Sequence, residues 1–345
     1  MRRFIPVVAL LVAVTPVWTA AVAGEQPVPL LDGVGLTYKG FALGLYPEGN
    51  EAPADHRAAG RAQAGALRPL DADGLPHSTG KIVLLSIGMS NTTQEFCSRS
   101  GRAPCDPWTF VGQALADGAV DRSHLVLANG ARGGQSAGTW DAPERPNYVR
   151  VREEILAPAG LSESQVQAAW VKVANPRPAI ALPAADADAW RLVEQIGRIV
   201  RAMKVHYPNL RLIFLSSRVY GGYATTTLNP EPYAYESGLA VKWLIESQIR
   251  QRRGEADPTG GRAGDLGDAS TAPWIGWGPY LWASGTAPRS DGLTWEMRDF
   301  AADGTHPSRL GAEKVGRLLL EFFKTSPYTR EWFVSAARRR PVDHP

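Results

Sequence analysis

Apolar residues along this chain fall into two alternating patterns. Short, nearly continuous apolar runs, rich in β-branched residues, occur at 81–88 (KIVLLSIG), 124–131 (HLVLANGA), 168–175 (AAWVKVAN), 210–217 (LRLIFLSS) and 274–282 (WIGWGPYLW). Elsewhere, over 190–207, 236–252 and 309–324, apolar residues recur at three- and four-residue spacing, which predicts amphipathic helices. The last of these follows Ser308, whose hydroxyl suits a helix N-cap. Strands that read as continuous apolar runs are buried on both faces. The pattern therefore predicts a three-layer α/β/α domain around a mostly parallel five-stranded sheet.

Two segments fall outside this pattern. Residues 24–80, rich in Gly, Pro and Ala, predict an ordered N-terminal arm without regular structure, ahead of the α/β domain over 81–345. Residues 1–23 have a basic start, a short apolar core and the small residues Ala21-Val22-Ala23. They read as an export signal cleaved near Ala23, and predict a secreted or periplasmic protein. The apolar core is interrupted by Pro6 and Pro16 and is shorter than the roughly 20 residues that span a bilayer, so no stable membrane anchor is expected. The stretch 254–273 reads as a polar surface loop.

Composition adds limits. At 345 residues, with 44% apolar and 21% charged side chains, the chain has the make-up of a globular protein. Its formal charge of +3 falls to about +1 without Arg2 and Arg3, which gives no electrostatic case for binding nucleic acid. Cys97 and Cys105 are the only cysteines. In an exported chain they predict a disulfide pinning the loop after Ser90. With no further cysteine and no clustered histidine, neither a metal site nor an organic cofactor is expected.

In a parallel sheet, functional groups collect at the carboxyl ends of the strands. Ser90 lies just past the first run, Asn129, Gly133 and Gly134 at or after the end of the second, and Asn175 at the end of the third. Asp303 and His306 lie between the fifth run and the last helix. Each has an ordinary structural role when taken alone: a serine caps a helix, glycines allow a tight turn, and Asn-Pro marks a turn. Asp121 and His124 repeat the Asp-x-x-His spacing, but His124 begins its run and so falls on the opposite edge. Together the other residues supply the parts of nucleophilic acyl transfer. A neutral histidine takes the proton of a serine hydroxyl, and an aspartate fixes the histidine tautomer. The N–H groups of Ser90 and Gly134 and the amide of Asn175 are donors for a tetrahedral oxyanion.

This order of blocks, with DGTHPSRLGAEKVG (303–316) the most specific, resembles the SGNH (GDSL-type) hydrolase superfamily over about Ile82–Leu320. The resemblance implies a flavodoxin-like sheet, with Ser90, Asp303 and His306 as catalytic residues and Ser90, Gly134 and Asn175 as the oxyanion hole. Its spacing from Asn129 selects Gly134 over Gly133. The usual Gly-Asp-Ser is Gly88-Met89-Ser90 here, followed by Asn91, similar to a Gly-x-Ser-Asn variant of carbohydrate O-acetylesterases. Asn175 is followed by Pro176, where many members have Asp. Candidate substrate-binding residues are Asn91, Arg218, Tyr220 and Trp277. Trp140, Trp274 and Trp282 are further aromatic candidates near the same edge. The expected activity is hydrolysis of short acyl esters, above all acetyl, on a small-molecule or polysaccharide substrate. The alternatives are an O-acyltransferase with the same triad and a non-catalytic glycan-binding protein.

Overall fold

The structure, a computed structural model, describes residues 27–338. The expected export signal, 1–23, lies outside them. Five parallel strands form the central sheet: β1 (Ile82–Gly88), β2 (Leu125–Asn129), β3 (Val166–Lys172), β4 (Leu212–Leu215) and β5 (Trp274–Trp277). Their order across the sheet is β2-β1-β3-β4-β5. Every residue of β1, β3, β4 and β5 is buried, whereas the edge strand β2 is partly open.

Successive side chains along each strand feed opposite cores. Val83, Leu85, Ile87, Ile213 and Ile275 join one apolar core. Ile82, Leu84, Trp170, Phe214 and Trp274 join the other. That double burial is why the strands carry almost no polar alternation. From β1 the chain passes to β2 on one side of the sheet and then crosses to β3 on the other. The reversal of direction leaves a crevice at the carboxyl ends of β1 and β3.

The longer helices around the sheet are α1 (Ala54–Gly65), α2 (Ser90–Cys97), α3 (Phe110–Ala116), α4 (Asp188–His206), α5 (Tyr233–Arg252) and α6 (Arg309–Thr325). Ser308 does cap α6, its Oγ accepting the Gly311 N–H at 3.4 Å. The buried face of α6 is Ala312, Val315, Leu319 and Phe323, at helical spacing. Removing the fully buried Phe323 ring would cost about 3–5 kcal/mol.

The segment before β1 departs from the expected irregular arm. It contains the 12-residue helix α1 and a short hairpin pairing Thr37–Tyr38 with Phe41–Ala42. Helix α1 covers the free edge of β5, where His56 Nε2 binds the Ile275 carbonyl at 2.9 Å and the Trp274 indole donates to the His56 carbonyl at 3.0 Å. An exposed strand edge is thereby closed. The hairpin covers α5 instead, with Phe41 edge-on to Trp243 and Lys39 3.1 Å from Glu236. Helix α5 is therefore buried on all sides from Ala234 to Ile249, rather than amphipathic. Among the described residues no helix is long and apolar enough to cross a membrane.

Candidate active site

Ser90 owes its position to a tight exit from β1. A side chain at Gly88 would come within 2.3 Å of both the Lys172 carbonyl and the Thr92 hydroxyl, so only glycine lets the strand pass. The Thr92 hydroxyl accepts the Met89 N–H at 3.3 Å and donates to the Lys172 carbonyl at 2.6 Å, fastening α2 across β1 and β3. Ser90 is the first residue of α2 rather than its cap. Its Oγ instead lies 2.8 Å from His306 Nε2. Its own N–H is one of the free donors at the start of the helix.

His306 sits on the loop before α6. Its Nδ1 is 2.5 Å from Asp303 Oδ2, and Asp303 Oδ1 accepts the N–H groups of Thr305 and His306 at 3.0 Å each. Between them Gly304 has φ 63°, and a Cβ there would meet the Tyr223 carbonyl at 1.8 Å. The turn itself therefore requires glycine at 304 and favours an acceptor side chain at 303. Burial alone would raise the Asp303 carboxyl, but the hydrogen bonds from the His306 ring and from the N–H groups of His306 and Thr305 outweigh it and hold the group below its ordinary value. Facing an ionised carboxylate, Nδ1 carries the proton, which leaves Nε2 as the acceptor for the serine hydroxyl.

A pocket of about 90 Å³ joins Ser90 and His306 to Gly134, Asn175 and Arg218. Gly134 stands in a left-handed conformation, with φ 78°, on the loop after β2. Asn129 anchors that loop's base to α2, its amide donating to Thr93 Oγ1 at 2.8 Å and to the Cys97 carbonyl at 3.0 Å. Asn175 is buried, and its amide donates to Gln195 Oε1 on α4 at 2.6 Å. That bond uses one of its two N–H groups. Arg218, at 1% exposure, lies just past β4 and lines the same pocket. Cys97 and Cys105 form a disulfide that ties the end of α2 to the loop before α3.

Other expected contacts are elsewhere. Trp140, Trp274, Trp277 and Trp282 are all buried, none more than 5% exposed, and none lines the pocket. The correction is plainest for Trp277: its side chain stays in the core at the end of β5, with the indole donating to the Leu45 carbonyl at 2.7 Å. Tyr220 packs edge-on to Tyr223 and Trp282, outside the pocket lining. Asn91 does reach the pocket, but its amide donates to the Thr305 carbonyl at 2.8 Å and so holds the His306 loop. Asp121 and His124 pair at 3.5 Å at the amino end of β2. Gln195, Leu228 and Asn229 join the site without having been singled out in the sequence. Asn229 has φ 60°, a conformation that tolerates asparagine. A larger cleft of about 700 Å³ runs along the open edge of β2 and contains neither Ser90 nor His306. Among the described residues no group of three or more His, Cys, Asp or Glu side chains is placed to hold a metal ion.

No protein-family model and no curated protein matches the sequence. Several solved structures are similar to it. One, from Arabidopsis thaliana, is 12% identical, with 70% of this chain and 96% of that chain covered and a TM-score of 0.38. A family two carbohydrate esterase from Clostridium thermocellum, in complex with cellohexaose, is 13% identical, with 72% and 65% covered and a TM-score of 0.38. A family two carbohydrate esterase with a carbohydrate-binding domain, from Myceliophthora fergusii, is 12% identical, with 71% and 66% covered and a TM-score of 0.37. This chain thus spans about two thirds of each of those two esterases. SGNH and GDSL-type hydrolases are also among the similar structures.

Proposed function

We propose that this chain is an exported serine esterase that removes short acyl groups, acetyl above all, from carbohydrate esters. The observation that carries the reading is the continuous hydrogen-bond run from Ser90 Oγ through the His306 ring to Asp303, at 2.8 and 2.5 Å. As Ser90 Oγ attacks the ester carbonyl, His306 Nε2 takes its proton and the Asp303 carboxylate stabilises the resulting imidazolium. The N–H groups of Ser90 and Gly134 and the free N–H of Asn175 receive the oxyanion. His306 then returns the proton to the departing alcohol, leaving an acyl-Ser90. Water, deprotonated by His306 in turn, releases the acid and restores the serine.

Pocket size supports a short acyl group. A site of about 90 Å³ is well below the roughly 300–1,000 Å³ of pockets that enclose drug-sized ligands. The Cys97–Cys105 disulfide supports an oxidising compartment. The test is a chain-length series of para-nitrophenyl esters, together with acetate release from acetylated oligosaccharides. The reading expects kcat/KM to be highest for acetate and to fall steeply beyond butyrate. A preference for long chains would contradict it, as would acetate release at the uncatalysed rate. Appearance of the acetyl group on an added sugar, in place of free acetate, would assign the acyl-enzyme to transfer.

A further inference from the structure

Arg218 is a cation that the catalytic chemistry leaves unused. Its guanidinium is buried, and among the described residues all three of its nitrogens lack a hydrogen-bond partner. Glu95, Glu231 and Asp303 offset part of its charge, but each is hydrogen-bonded to other groups. Glu95 is held by Lys172 Nζ at 2.7 and 2.5 Å. Glu231 accepts the Gly221 N–H at 2.8 Å, the Tyr235 N–H at 3.0 Å and the Trp282 indole at 2.7 Å. Asp303 is taken by His306. The main chain is anchored directly after β4, where the backbone N–H of Arg218 donates to Ser237 Oγ at 3.1 Å. The residue lines the pocket that holds Ser90 and His306.

A buried guanidinium with five unbonded N–H groups is costly unless something in the pocket meets it. Its planar fork matches a carboxylate, which it can bind through two parallel hydrogen bonds. We propose that Arg218 recognises a carboxylate carried by the ester substrate, so that the preferred substrates are acidic esters rather than neutral ones. This rests on the esterase reading above and narrows its substrate class. The carboxylate belongs either to the acyl group or to the alcohol, and two matched pairs distinguish these sources. Mono-para-nitrophenyl glutarate against para-nitrophenyl butyrate places it on the acyl side. Para-acetoxybenzoate against phenyl acetate places it on the alcohol side.

In the wild-type protein the acidic ester of one pair is expected to have a kcat/KM about tenfold or more above its neutral partner, after subtraction of spontaneous hydrolysis. In Arg218→Met that ratio falls to about one, and Arg218→Lys restores part of it. Ratios within about twofold in both wild-type pairs would overturn the proposal, as would an unchanged ratio in Arg218→Met. A binding measurement separates this from the esterase reading. Glutarate or galacturonate, but not galactose, should raise the thermal midpoint of the wild type and leave Arg218→Met unmoved. If all four esters are inert yet the carboxylates bind through Arg218, the esterase reading fails and the anion site stands. If esters are cleaved without preference and carboxylates do not bind, the anion site fails alone. Should Arg218→Met not fold, the wild-type ratios and wild-type carboxylate binding still decide.

Discussion

Replacing Asp303 with asparagine tests the role of the histidine tautomer. Asp303 Oδ1 accepts two backbone N–H groups at 3.0 Å, so the carbonyl oxygen of an asparagine must stay there. Its NH₂ group then faces His306 Nδ1 at the position where Oδ2 now sits. Two donors cannot face each other, so Nδ1 becomes the acceptor and the ring proton moves to Nε2. That proton points at Ser90 Oγ and removes the base. The substitution also removes the charge that stabilises the imidazolium. At about 4 Å and an effective dielectric of 20 such a pair is worth about 4 kcal/mol, and the side chain's 28% exposure reduces this by screening. The trypsin-type precedent for this change is a loss of about 10⁴ in kcat. For Asp303→Asn the expected loss is roughly 10³–10⁴ in kcat/KM, or about 4–5.5 kcal/mol. The assay is para-nitrophenyl acetate hydrolysis near pH 8, with the thermal midpoint as a fold control. A folded variant within about tenfold of wild type would refute the argument.

Four further outcomes are expected. Asn175→Ala should lower kcat by roughly 10²–10³ with little change in KM. Gln195→Ala, which frees the Asn175 amide, should cost roughly tenfold to a hundredfold; steady-state kinetics check both. Burial above all lowers the His56 pKa from 6.5 to about 4, so between these values the unfolded chain takes up a proton that the folded one does not. Stability is therefore full above about pH 6.5 and declines by about 3 kcal/mol as pH falls to 4, a slope that His56→Gln should flatten in urea unfolding followed by tryptophan fluorescence. Loss of the Cys97–Cys105 disulfide, which closes a loop of sequence separation 8, should cost about 2–3 kcal/mol in denaturant unfolding of the double serine variant.

Much of the sheet was legible because double burial writes it directly as apolar runs, and β1 through β5 lie within those runs to about two residues, apart from the longer final run. Helix α1 was hidden because ADHRAAGRAQAG is mostly alanine, glycine and polar residues, with a weak apolar stripe. The true surroundings of α5 were hidden for another reason: its cover comes from residues some 200 positions earlier. The turn at Asp303–His306 was readable because its local geometry needs glycine at 304 and a side-chain acceptor at 303. Trp277 was not, since an aromatic residue at a strand end looks the same in sequence whether it faces the crevice or the core. Gln195 carried no signal. Its contact with Asn175 depends on the rotation of α4 against the loop after β3.

Activation of Ser90 is the central claim, and a fluorophosphonate probe tests it most directly. Intact-mass and peptide-mapping mass spectrometry of the labelled protein should show a single adduct on Ser90 in the wild type, and none in His306→Ala under the same conditions. No adduct on folded wild-type protein, or equal labelling of the His306→Ala variant, would contradict the account.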